Sequence, residues 1–395
     1  MSHRFSKRTA WSLEPNRLSA KIDAARASGR ALVDLTESNP TRCDLVDVAG
    51  LVSLLGNPRA SRYAPDPLGH PIARDAVCGY YAGKGVEVAR ERVVLSASTS
   101  ESYSWLFKLL CDRSDEVLVP QPSYPLFDYL AALEEVALVP YPLMREERWR
   151  LDLPAIERAI TEKTRAILVV HPNNPTGTFV RRDDALGLES IAAEHGLALI
   201  VDEVFSDYAH GALPADRLPT FAGERRALTF VLSGLSKVVA LPQVKLGWTL
   251  VCGPRAEVDA AMARLEVIAD TYLSVSTPVQ LALPELLAGA RGVQRAISAR
   301  VATNLAALDA AIADVGAHGA VRRLPSDAGW SAILEVPRTR DEDAWVEALI
   351  DEAGVIVQPG WFFDLDREGY LVVGLLNRRE ELAGAVKRLL HVLHS

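Results

Sequence analysis

Leu228-Thr-Phe-Val-Leu-Ser-Gly-Leu-Ser-Lys237 is a β-rich apolar run that breaks at a Ser/Gly turn and delivers one lysine. Val238, Val239, Ala240 and Leu241 follow at once, so the lysine stands where a strand leaves a packed interior. Desolvation disfavours the charged form of such a lysine, and the neutral amine is a nucleophile toward a carbonyl. A lone Ser-Lys pair ending a strand would ordinarily be a solvent-facing lysine. Two upstream stretches weigh against that plain reading. His171-Pro-Asn-Asn-Pro-Thr-Gly177 follows a strand-like run at 166–170, and Ala198-Leu-Ile-Val-Asp-Glu-Val-Phe205 is a buried run meeting a carboxylate. Asn174 and Asp202 are 28 residues apart, and Asp202 and Lys237 are 35 apart, which leaves room for a helix between successive strands. In an open α/β sheet ligands sit beyond the carboxyl ends of the strands, so an amide, an acid and an amine can converge there.

The rest of the chain repeats this rhythm. Strand-like runs at 92–96, 116–120, 136–143, 166–170 and 197–201 alternate with helical spacing at 100–111, 152–161 and 182–195. Such alternation implies a mostly parallel sheet. A helical stretch at 13–28 and a strand from Ala31 precede it. Long helical stretches at 256–272 and 288–315 follow, then strands from Ser331, Val355 (355–358) and Tyr370, with helices at 344–353 and the C-terminus. That last part reads as an α+β unit.

At 395 residues the chain suits one large and one smaller domain. Hydrophobic residues at 49% and charged residues at 24% match a globular protein with a sizeable core. A net charge of −8 gives no general attraction to nucleic acid or to an anionic membrane. The polar start Met-Ser-His-Arg-Phe-Ser-Lys-Arg lacks the apolar stretch of a secretory signal, and no run approaches the ~18 apolar residues of a membrane span. Cys43, Cys78, Cys111 and Cys252 are scattered, which reads as packing in a reducing cytoplasm, with no metal site expected.

The ordered set Asn-Asn-Pro-Thr-Gly, Asp202 and Ser-Lys resembles the fold-type I pyridoxal-phosphate enzymes, specifically the class I/II aminotransferase family, over nearly the whole chain. The resemblance implies an α/β fold. A large domain over 50–285 would hold a mostly parallel, seven-stranded-type sheet between helices. Residues 1–49 and 286–395 would build a smaller α+β domain. It also implies an aminotransferase that moves an amino group between an amino acid and a 2-oxo acid, with pyridoxal 5'-phosphate as cofactor. A homodimer with shared active sites is expected too.

Roles follow residue by residue from that resemblance. Lys237 would form a Schiff base with the cofactor and act as general base at the substrate α-carbon. Asp202 would pair with the pyridine nitrogen, Asn174 with the phenolic oxygen, and Tyr124 in Gln121-Pro-Ser-Tyr-Pro125 would stack on the ring. Ser98, Thr99 and Ser100 lie at a helix start, where free N–H groups favour an anion, although such a run is usually only a cap. With Ser236 and Lys245 they would hold the phosphate. Tyr63 of Tyr-Ala-Pro-Asp-Pro-Leu-Gly would reach the partner subunit's phosphate, and 274–277 would also cross to the partner. Asn39 and Arg42, after the first strand, would enter the substrate pocket.

Three residues depart from the family pattern. Phe205 stands where many relatives have a tyrosine near the phenolic oxygen, and Lys245 replaces an arginine by a point charge without a fork. Val372 stands where an arginine is expected to clamp the substrate carboxylate, with Arg42, Arg378 and Arg379 as candidate substitutes. Two other readings share the scaffold: a pyridoxal-phosphate β-lyase, and a cofactor-binding regulator. The regulator would need an N-terminal DNA-binding segment, for which about 30 residues leave too little room.

Overall fold

The computed structural model describes residues 5–125, 127–314 and 321–394. Its main sheet has eight strands in the order Val93–Ser96, Gly247–Cys252, Thr229–Gly234, Ala198–Asp202, Thr164–Val170, Glu116–Gln121, Ala137–Arg145 and Trp149–Leu151. The five central strands from Thr229–Gly234 to Ala137–Arg145 pair in parallel. Gly247–Cys252 and Trp149–Leu151 run antiparallel to their neighbours. The sheet thus has one strand more than the seven-stranded expectation, supplied by the short hairpin arm at Trp149.

Ala198–Asp202 and Thr229–Gly234 are buried at every residue, as expected where helices cover both faces of a parallel sheet. One apolar cluster fills the side of Val169, Leu199, Val201 and Trp248, and another fills the side of Leu168, Ile200, Phe230 and Phe107. The period-2 alternation of side chains sorts these residues between the two faces.

A second, four-stranded antiparallel sheet has the order Arg322–Arg323, Ser331–Glu335, Tyr370–Gly374, Gln358–Pro359. Val33–Asp34 pairs in parallel with Val355–Ile356, so both ends of the chain meet in one cluster with Leu35, Leu371 and Leu389. The single strand expected over 355–358 is therefore two short ones in different sheets, because the chain turns at Val357 to pair with Tyr370–Gly374.

The long helix is also longer than its spacing suggested. Thr277–Asp314 runs for 38 residues through Pro284. Proline removes one helical hydrogen bond, and burial of Leu281, Leu283 and Leu286 around it offsets that loss. By length and composition alone this helix could cross a membrane, which the sequence reading did not anticipate. It packs along helices Pro71–Ala82 and Arg379–His394.

Candidate active site

Three neighbouring parallel strands carry the three residues singled out from the sequence. Asp202 ends Ala198–Asp202, Asn174 follows Thr164–Val170 on one side, and Lys237 follows Thr229–Gly234 on the other. Adjacent strands lie about 4.8 Å apart, so equivalent ends present side chains within reach of one small molecule. All three line a cavity of about 270 Å³, together with Tyr124, Thr99, Ser236 and Phe205.

Lys237 sits in a one-turn helix, Leu235–Val238, anchored by buried Leu235 and Val238. The Tyr208 hydroxyl donates to its carbonyl. Its Nζ has no hydrogen bond or ion pair among the described residues and lies 4.9 Å from the Trp330 ring centroid and 5.3 Å from that of Phe205. The ring faces favour a cation, and so does the charge of Asp202. Burial works against it and prevails, lowering the amine from 10.5 to about 8. Near neutral pH an appreciable fraction of this lysine is therefore neutral.

Asp202 is buried, and burial raises its carboxyl above the usual range. Two donors oppose that: Val204 N–H donates to Oδ1 at 3.0 Å and the Tyr103 hydroxyl to Oδ2 at 2.9 Å. Strand alternation turns the next residue, Glu203, to the opposite side, where Thr220 and the Phe221 N–H hold it. Asn174 accepts a hydrogen bond from Ser331 Oγ at 3.5 Å, a contact from the small sheet to the large one. Asn173 has a different task. Its side chain donates to Pro122 O and accepts from Thr176, which holds the loop.

Helix Thr99–Leu110 starts with a reciprocal cap. Ser98 Oγ accepts from Glu101 N–H at 3.2 Å, and Glu101 accepts from Ala97 N–H at 2.6 Å. The N–H groups of Thr99 and Ser100 keep no partner among the described residues. A Cβ at Gly247 would meet Ser98 C at 3.1 Å and Thr99 N at 3.2 Å, so this helix end seats directly on the strand beside Ser236. Here glycine is required by close approach of backbone.

Other expected residues lie elsewhere. The Ser98 hydroxyl is committed to the cap, and Ser100 does not line the cavity. Lys245 is exposed with φ +56° and does not line it, because the turn points its side chain to solvent. Tyr63 is 75% exposed on its loop. Asn39 caps the short helix Pro40–Arg42, and Arg42 faces solvent beside Glu37, so neither reaches the cavity. Their neighbours Thr36, Glu37 and Ser38 do.

The sequence reading missed Tyr103, Trp330, Ser331 and Gln358. For Tyr103 there was a signal: a fully buried tyrosine hydroxyl must find a partner. Ser331 and Gln358 come from short strands and Trp330 from the bend before one, and no local pattern reveals their register.

The family model for aminotransferase class I and II matches residues 34–389. The glutamate-pyruvate aminotransferase AlaA of Escherichia coli K12 is 29% identical over 250 residues, covering 63% of this chain and 61% of that protein. The alanine aminotransferase of Mycobacterium tuberculosis H37Rv is 28% identical over 261 residues, covering 61% and 60%. The chain therefore spans about three-fifths of the length of these curated relatives. Among solved structures, an alanine aminotransferase from Pyrococcus furiosus superposes with a TM-score of 0.87 at 23% identity, covering 99% and 100% of the two chains. A single mutant of Thermus thermophilus aspartate aminotransferase gives 0.81 at 26% identity, with coverage of 99% and 100%.

Proposed function

The chain belongs to the aminotransferase class I and II family, and from that premise we propose that it is a pyridoxal-phosphate-dependent aminotransferase acting between an amino donor and a 2-oxo acid. The convergence of Lys237, Asp202 and Asn174 at three adjacent strand ends carries the reading.

The residues fit the cofactor. The Thr99 N–H at a helix start, unpartnered among the described residues, and Ser236 on the same cavity lining suit a phosphate. Each Asp202 oxygen accepts one donor from the protein and keeps a free lone pair for a pyridine N–H. When bound, pyridoxal phosphate supplies the electron sink for chemistry at the substrate α-carbon.

The chain's own residues do the rest. Lys237 Nζ, uncharged in part near neutral pH, accepts the proton leaving the substrate α-carbon and returns it on the other side of the transfer. Asp202, held by Tyr103 and Val204, would pair with the ring nitrogen and keep it protonated. Asn174 has its carbonyl oxygen engaged by Ser331, so its NH₂ is left to donate to the phenolic oxygen. Tyr124, on the cavity lining, would stack on the cofactor ring, and Trp330 and Phe205 beside Nζ exclude water from the amine.

A donor screen tests this reading. Purified holoenzyme mixed with amino acids should convert its cofactor from aldehyde to amine form, and a 2-oxo acid should reverse the change. Release of ammonia and pyruvate without the amine form would point to a β-lyase instead.

We also assign residues 50–285 to a cofactor-binding domain and 1–49 with 286–395 to the smaller one. The enzyme works as a cytoplasmic homodimer in this reading. The exposed Tyr63, and Leu273 beside the 274–277 segment, support a partner surface. Mixing Tyr63→Phe and Lys237→Ala proteins should regenerate activity in heterodimers, since one site would then carry both native residues. Confirmed subunit exchange without recovery refutes shared sites.

A further inference from the structure

We propose that Gln358 and Ser331 select the amino donor, reading the group beside its amine through uncharged hydrogen bonds. The favoured donor then bears a carboxamide or hydroxyl at that point in place of a free carboxylate. The inference rests on the transamination reading and refines it.

In the small sheet Val372 stands opposite Ile333 on one side and Gln358 on the other, and Gly374 stands opposite Ser331. Opposed residues, and residues two apart on a strand, share a face. Val372, Gly374, Gln358 and Ser331 therefore share one face, and the last three line the cavity holding Lys237. Val372 is packed in a buried apolar cluster with Trp149, Ile333 and Phe363. A Cβ at Gly374 would meet Leu35 O at 2.9 Å, so that position carries no side chain. What this face offers the substrate is an amide and a hydroxyl.

No arginine lines the cavity among the described residues. Arg42 pairs with Glu37, Arg378 with Asp44, and Arg300 donates to the carbonyls of Leu376 and Asn377. The charged groups on the lining are Lys237, Asp202 and Glu37. With Asp202 given to the ring nitrogen and Glu37 paired with Arg42, the only cation on the lining for a donor carboxylate, among the described residues, is Lys237, whose amine the chemistry already uses. A carboxamide needs no such counter-charge, and its C=O and NH₂ match the NH₂ and C=O of glutamine. Gln358 is half-buried, lines the cavity, and its amide has no hydrogen-bond partner among the described residues.

The test compares 2-aminoisobutyrate with its amide, which lack an α-hydrogen and bind without transfer. Affinities for the holoenzyme are read by calorimetry in the native protein, Gln358→Leu and Gln358→Arg. The native protein should bind the amide at least as tightly as the acid. Gln358→Leu should weaken the amide about tenfold, and Gln358→Arg should turn the preference toward the acid by about a hundredfold. Val372→Arg on the paired strand serves the same purpose where Gln358→Arg does not fold. A native preference for the acid of about tenfold or more, an amide affinity unmoved by Gln358→Leu, or binding of neither probe overturns the proposal. In a parallel arm, alanine and alaninamide are offered for turnover. Cofactor conversion by neither, with the binding preference intact, counts against transamination and leaves the recognition claim standing.

Discussion

Lys237→Ala should give a folded protein that binds pyridoxal phosphate without covalent attachment and transaminates at least about 10⁴-fold more slowly. The variant removes the one amine that lines the cavity among the described residues, and with it both the covalent tether and the proton carrier. It leaves Leu235 and Val238, the buried anchors of that turn, in place. Borohydride reduction and peptide mapping check the assignment. The native protein should carry its phosphopyridoxyl label on Lys237 and the variant should carry none; a label on another lysine in the native protein sinks it. Because burial lowers this amine to about 8, capture of the cofactor by the apoprotein should speed up as pH rises and level off above about 8. The sign follows from the neutral amine being the reactive form. A capture rate independent of pH across that range contradicts a buried, depressed lysine.

Asp202→Asn should slow transamination by about 10³-fold while the cofactor still attaches. The amide keeps the shape of the carboxylate but not its charge, so the ring nitrogen loses the anion that keeps it protonated. Tyr103 and Val204 remain as donors to a side chain that now offers one acceptor oxygen in place of two. A cofactor analogue methylated on the ring nitrogen is permanently cationic there and should recover about tenfold or more of the loss in the variant. No recovery, with the analogue shown to bind, assigns the defect to cavity shape instead.

Much of this site was legible in the chain because its chemistry sits at strand ends. Buried parallel strands are short continuous apolar runs, and the residue that ends each run is fixed by local sequence. Asn174, Asp202 and Lys237 could thus be placed from the runs before them, and the structure sets them on neighbouring strands. The helix start at Thr99 was visible in the same way, from Ser and Thr ahead of a helical period. What the Ser98 side chain does there was ambiguous, and the cap with Glu101 decided it.

The less legible residues act across long separations. Tyr103 reaches Asp202 over 99 positions, and Ser331 reaches Asn174 over 157. The small-sheet strands that line the cavity are as short as two residues, as at Gln358–Pro359, too short for a hydrophobic period to set their register. Asn39 and Arg42 were expected at the substrate pocket from the family resemblance of their turn; a short helix and a solvent-facing ion pair claim them instead.

The parallel strands, the order of the chemistry at their ends and the lysine among it follow from local sequence, since apolar period and turn residues act within a few positions. Which side chains surround that lysine depends on contacts between distant parts of the chain. Trp330, Phe205 and Gln358 come to it from separate elements, brought together by packing and strand register, neither of which is written in any one stretch.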